Sequence, residues 1–100
     1  MVKNPDERFF DRADKHIDLS NAQLGDATAG KVSASMMYAT ARFNVWLSAS
    51  ELDSKEELKK EKQRTVKYFV AEYRKMLEDN MEDYIENFDS YMEAPSDDRR

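Results

Sequence analysis

Between Gly30 and Pro95 the chain contains neither glycine nor proline, and this absence of breakers restricts it to helices. A sheet needs a turn every ~8–12 residues, and such turns draw on glycine, proline, asparagine and aspartate. Two Gly and two Pro in 100 residues, beside abundant Ala, Met, Glu and Lys, predict an all-α chain. With 40% hydrophobic and 37% charged residues, the expectation is a single helical domain over 1–92 and a disordered acidic tail over 93–100. A chain of this size builds only a modest core, which favours an oligomer.

Three helices are expected, roughly 5–24, 31–49 and 55–92, arranged as an antiparallel bundle. "NPDE" reads as a helix start, with Asn4 as cap, Pro5 in the first helical position and Asp6 and Glu7 at the positive end. Phe9, Phe10, Ala13, Ile17, Ser20 and Leu24 then share one face at helical spacing. "GDATAG" holds both glycines and marks the first turn. The segment after it, "KVSASMMYATARFNVWLSAS", has one charge beyond Lys31, Arg42, and apolar or small residues on nearly every side. A helix apolar all round is expected to be covered all round, as the central element between two neighbours. Ser54 and Glu57 have the spacing of a capping box for the third helix.

Helix three carries an apolar ladder: Val66, Val70, Tyr73, Leu77, Met81, Tyr84, Phe88 and Tyr91, flanked by Leu58, Phe69 and Met76. Taken as continuous it extends on the order of 55 Å, whereas the first two helices reach only ~30 Å each. Its end, "MEDYIENFDSYM", therefore overhangs, or the chain breaks near Asp79 and Asn80 and folds a fourth helix back. An overhang rich in aromatics is an exposed apolar patch, and such patches mark contact surfaces. The expected interface is Met81, Tyr84, Ile85, Phe88 and Tyr91, facing a second copy of the chain.

Charge points the same way. Residues 54–75 contain eight Lys or Arg against four Glu, and residues 76–100 contain nine Asp or Glu against Arg99 and Arg100. Basic first and acidic last is the order that the helix macrodipole disfavours. Two antiparallel copies bring each basic half beside the other's acidic half. The bland alternative is two unevenly charged solvated faces.

Catalytic chemistry finds little to work with. There is no cysteine and one histidine, His16, so thiolate nucleophiles and His/Cys zinc sites are out of reach, and a paired Glu-x-x-His di-iron pattern cannot be completed. No phosphate loop, nucleophile elbow or His-Glu zinc motif occurs. No catalytic, cofactor or metal residue is assigned. Arg42, alone in its helix beside Asn44 and Tyr38, is read either as a structural ion pair with Asp14, Asp18 or Glu72 or as an anion-binding residue. The net charge of −5 disfavours a nucleic-acid binder. No basic leader with an apolar run and no membrane-length apolar stretch is present, so a soluble, cytoplasmic protein is expected.

Two stretches, "GKVSASMMYATARFN" (30–44) and "YFVAEYRKMLEDNMEDYIENFDSYM" (68–92), with "FFDRADKHIDLSN" near the start, resemble a family of short bacterial proteins known only as a domain of unknown function. The resemblance covers most of the chain and implies a small bacterial helical protein. It brings no reaction, cofactor or site residue. The leading expectation is a non-enzymatic interaction protein that forms a homodimer through its C-terminal helix. The alternatives are an acidic, nucleic-acid-mimicking binder of a basic protein, and a small anionic-ligand binder or enzyme around Arg42.

Overall fold

The structure is a computed structural model that describes residues 6–93. Four helices lie within them: α1 (Phe9–Ala22), α2 (Ala29–Ser50), α3 (Lys55–Glu86) and α4 (Phe88–Glu93). The all-α class and the long third helix stand as expected. The proposed cap at Asn4 and Pro5 lies outside the described residues, as does the expected tail apart from Glu93, which ends α4.

Local chemistry sets the helix ends. Before α1, Asp6 closes a turn: its Oδ1 accepts from the Arg8 N–H at 3.1 Å and its carbonyl from the Phe9 N–H at 3.0 Å. Its Oδ2 accepts from the Arg12 guanidinium at 2.7 Å, and this bond holds the Asp6 carboxyl below its ordinary pKa despite some desolvation. The first interhelical turn falls at 23–28, earlier than the glycines suggest, because Thr28 caps α2 by accepting from the Lys31 N–H at 3.3 Å. Gly30 thus sits in the first turn of α2. The start of α3 is capped where the box spacing places it, with the return bond shifted by one residue: Ser54 Oγ accepts from the Glu57 N–H at 3.2 Å, and Glu57 Oε1 accepts from the N–H of Asp53, not of Ser54, at 2.8 Å.

α3 runs unbroken through Asp79 and Asn80 and is interrupted at Asn87 instead. At ~1.5 Å per residue its 32 residues span ~48 Å, close to the 50 Å long axis of the molecule. By the same rise, the 22 residues of α2 reach ~33 Å and the 14 of α1 ~21 Å. α1 packs on α2 and α2 on α3, and two short helices cannot sheathe the long one.

The expected all-round cover of α2 does not form. Val32 is the one buried hydrophobic residue among the described residues. Met36, Asn44, Ser48 and Ala49 are half-buried, while Met37, Tyr38, Phe43, Val45 and Trp46 are exposed, Trp46 to 60%. α1 does bury its predicted face in part, through Phe9, Ala13, Ile17 and Ser20, but Phe10 and Leu24 stay outside. The chain exposes 8920 Å², against ~5900 Å² for a compact monomer of its mass. Its radius of gyration is 16.3 Å, where ~13 Å is usual for 100 residues.

Because one turn of hydrogen bonds fixes where the long helix begins, Ser54→Ala should cost about 1 kcal/mol in a denaturant titration. An unchanged midpoint would show that the cap is dispensable.

Candidate functional site

Helix α3 presents two apolar faces, roughly a third of a turn apart at 3.6 residues per turn. One holds Leu58, Thr65, Phe69 and Met76, all half-buried, and the rest of the chain covers it. The other is the ladder itself. Val66, Val70, Tyr73, Leu77 and Met81 are exposed along its length, Leu77 to 48%. The residues read as flanking are therefore those turned inward, and the main apolar stripe is left facing out.

The sequence-predicted interface residues lie at the end of this stripe. Met81, Ile85 and Phe88 are exposed, Ile85 to 64% and Phe88 to 58%. Tyr84 and Tyr91 are half-buried because their rings pack on each other, with centroids 4.6 Å apart. Asp83 organises that contact. Its Oδ2 accepts from the Tyr91 hydroxyl at 2.9 Å, and its Oδ1 accepts from Asn87 Nδ2 at 3.0 Å. The same Asn87 amide also donates to the Asp83 carbonyl at 3.0 Å, a side-chain bond that competes with regular helix geometry. Asn80 bonds the Met76 carbonyl in the same way, at 2.7 Å, without interrupting the helix. What Asn87 has in addition is the Asp83 carboxylate and, beyond it, Tyr91. These three side chains hold α4 against α3, and no periodicity in the sequence announces them.

Charge is segregated along the same element. Residues 76–93 carry seven carboxylates and no Lys or Arg, and every Lys and Arg of α3 precedes them. Three ion pairs on α3 are local and solvent-exposed: Arg64 with Glu61 at 3.5 Å, Arg74 with Glu78 at 3.2 Å and Lys75 with Glu72 at 3.2 Å. Exposed pairs of this kind contribute little.

Arg42 and Tyr38 share an open shelf on the side of α2 with Ala41, Val45 and Trp46. Asn44 is half-buried around the other side of that helix, so the three residues do not converge. Arg42 is exposed and forms no ion pair among the described residues; Glu72, one of its expected partners, bonds Lys75. A single helix side cannot enclose a ligand. His16 is exposed on α1, and no three His, Asp or Glu side chains among the described residues are placed to hold a metal ion. No helix among them is long and apolar enough to cross a membrane.

The described residues thus form a helical scaffold with uncovered apolar faces. The comparisons narrow this to a family. A family model described as a protein of unknown function, DUF3144, matches residues 9–85, and the chain belongs to that family. The match runs from α1 almost to the end of α3 and leaves α4 outside. Among solved structures, the NMR structure of the protein NB7890A from Shewanella sp. is similar: 41% identity over 90% of this chain and 96% of that chain, with a TM-score of 0.73. No curated protein matches.

Asp83 raises the Tyr91 hydroxyl above its ordinary pKa of 10.0, chiefly by the hydrogen bond, with desolvation and charge repulsion adding. A raised folded value means that the contact stabilises fully below the unfolded value and is lost as pH climbs through the folded one. Ultraviolet titration of tyrosinate should show a component above the usual phenol range that Tyr91→Phe removes. The same titration in both proteins would mean that Asp83 does not hold the hydroxyl.

Proposed function

We propose that the chain is a non-enzymatic interaction module that assembles with itself, its C-terminal helix supplying the contact. The observation that carries this is the uncovered ladder from Val66 to Met81, continued at the acidic end by Ile85 and Phe88. The surface in excess of a compact monomer is ~3000 Å², from 8920 Å² less ~5900 Å². A stable two-chain interface takes only ~800 Å² from each partner. Met81, Ile85 and Phe88 are the exposed anchors; Tyr84 and Tyr91 act through the shape that their packing gives to the end of the helix.

A second reading has one observation in its favour. Glu78, Glu82, Glu86, Asp89 and Glu93 follow helical spacing and form a carboxylate stripe, which suits an acidic surface offered to a basic protein. Such binding would collapse with salt, whereas contact through the apolar ladder persists.

Light scattering should give the mass of a dimer at low and at high salt, and Ile85→Asp with Phe88→Asp should give a folded or partly folded monomer. A wild type of monomer mass at every concentration, or a variant that keeps the dimer mass, would refute self-assembly through this end.

A further inference from the structure

The spacing of the exposed ladder has a symmetry that a single chain does not use. From Leu77 the apolar positions step outward by four, three and four residues in both directions, to Tyr73, Val70 and Val66 on one side and to Met81, Tyr84 and Phe88 on the other. The six positions from Val66 to Tyr84 fall within a narrow stripe of α3, Phe88 follows just beyond the interruption at Asn87, and most of the seven are exposed. A stripe that reads the same in both directions is what an isologous contact needs, because a two-fold axis sets each position opposite its mirror on the partner.

The charges break the symmetry in the sense that favours antiparallel pairing. We infer that two copies of the chain pair their α3 helices antiparallel, with the two-fold axis at Leu77, so that Tyr73 of each lies opposite Met81 of the other and Val70 opposite Tyr84. This rests on the self-assembly proposed above and fixes its register. In this register the basic stretch Lys59–Lys67 lies towards the acidic C-terminal end of the partner, where α4 carries Asp89 and Glu93. Close to the axis, Arg74 lies nearer the seam than Glu78, to which it is already bonded at 3.2 Å. It comes within about 3 Å, measured along the helix axis, of the level of the partner's Glu78. Four charges of alternating sign then flank the leucine contact. A parallel pairing sets lysine stretch against lysine stretch and carboxylate against carboxylate, which is repulsive along the whole helix.

The absence of native cysteine makes the register directly testable in the full chain. Tyr73→Cys and Met81→Cys chains are oxidised separately and as a refolded equal mixture. In the inferred register each alone places its two thiols on the order of 12 Å apart along the axis, too far for a disulfide. The mixture brings one thiol opposite the other. The expected result is a disulfide-linked heterodimer in the mixture and little crosslinking in either single sample. Crosslinking of either variant alone at the level of the mixture, with the dimer mass retained, overturns the register and leaves self-assembly standing. A monomer mass throughout removes both.

A charge test covers the case in which the cysteine variants fold poorly. Arg74→Glu and Glu78→Arg each destroy the intrachain pair, so mixing cannot restore that pair. If the pairs face each other across the axis, the mixture associates at least tenfold more tightly than either variant alone. Equal affinity in all three samples overturns the inference.

Discussion

The length mismatch between α3 and the two helices before it governs everything else in this molecule. A rod of ~48 Å cannot be sheathed by partners of ~33 and ~21 Å, and only one of its two apolar faces finds cover within the chain. The result is a fold whose two longer helices start at side-chain caps and whose core is nearly absent: one buried hydrophobic residue among the described residues, with half-buried side chains around it. Helices owe most of their stability to packing rather than to propensity. Secondary structure this regular on a core this thin fits the proposal that further burial comes from a second copy.

The two ends of α3 divide the work. Its beginning is fixed by short-range chemistry, the reciprocal Ser54, Glu57 and Asp53 bonds. Its end is fixed by Asp83, which uses both carboxylate oxygens and its backbone carbonyl on Asn87 and Tyr91. The latter cluster draws Tyr84 and Tyr91 together and leaves Ile85 and Phe88 facing out. An aromatic-rich terminus is thereby sorted into side chains that shape the surface and side chains that offer it. The charge gradient along the same helix runs against its own dipole, a cost that local pairs such as Arg74 with Glu78 offset only slightly. In the antiparallel pairing proposed above, an opposed second gradient would offset it.

Much of this was legible in the residues. Breaker positions and helical spacing give the class, the three main helices and the overhang, and the capping-box spacing places the start of α3 to the residue. The family resemblance, resting on 30–44 and 68–92, is borne out by a match that spans 9–85. What spacing could not show is which apolar face turns inward. Phe69 and Met76 pack inside while Val70, Tyr73 and Leu77 stay out, and both sets satisfy the same period. The all-round apolar character of α2 was read as burial, yet it is equally what a helix exposed in one chain and covered in an assembly carries. The interruption at Asn87 escaped because it depends on a side-chain triad four and eight residues apart. Arg42 shows the limit for sites: a lone charge among apolar residues suggested a buried pair, and with α2 largely uncovered the guanidinium needs none.

If the core is completed between chains, folding and association are one equilibrium, and stability must depend on how much protein is present. The decisive measurement is the midpoint of thermal unfolding across a dilution series of about a thousandfold. A Tm that falls steadily on dilution, with helicity and dimer mass lost together, is the expected result. A Tm independent of concentration, in a chain of monomer mass, would show that the sparse contacts within one copy suffice, and would contradict the view that its apolar faces are made for a second.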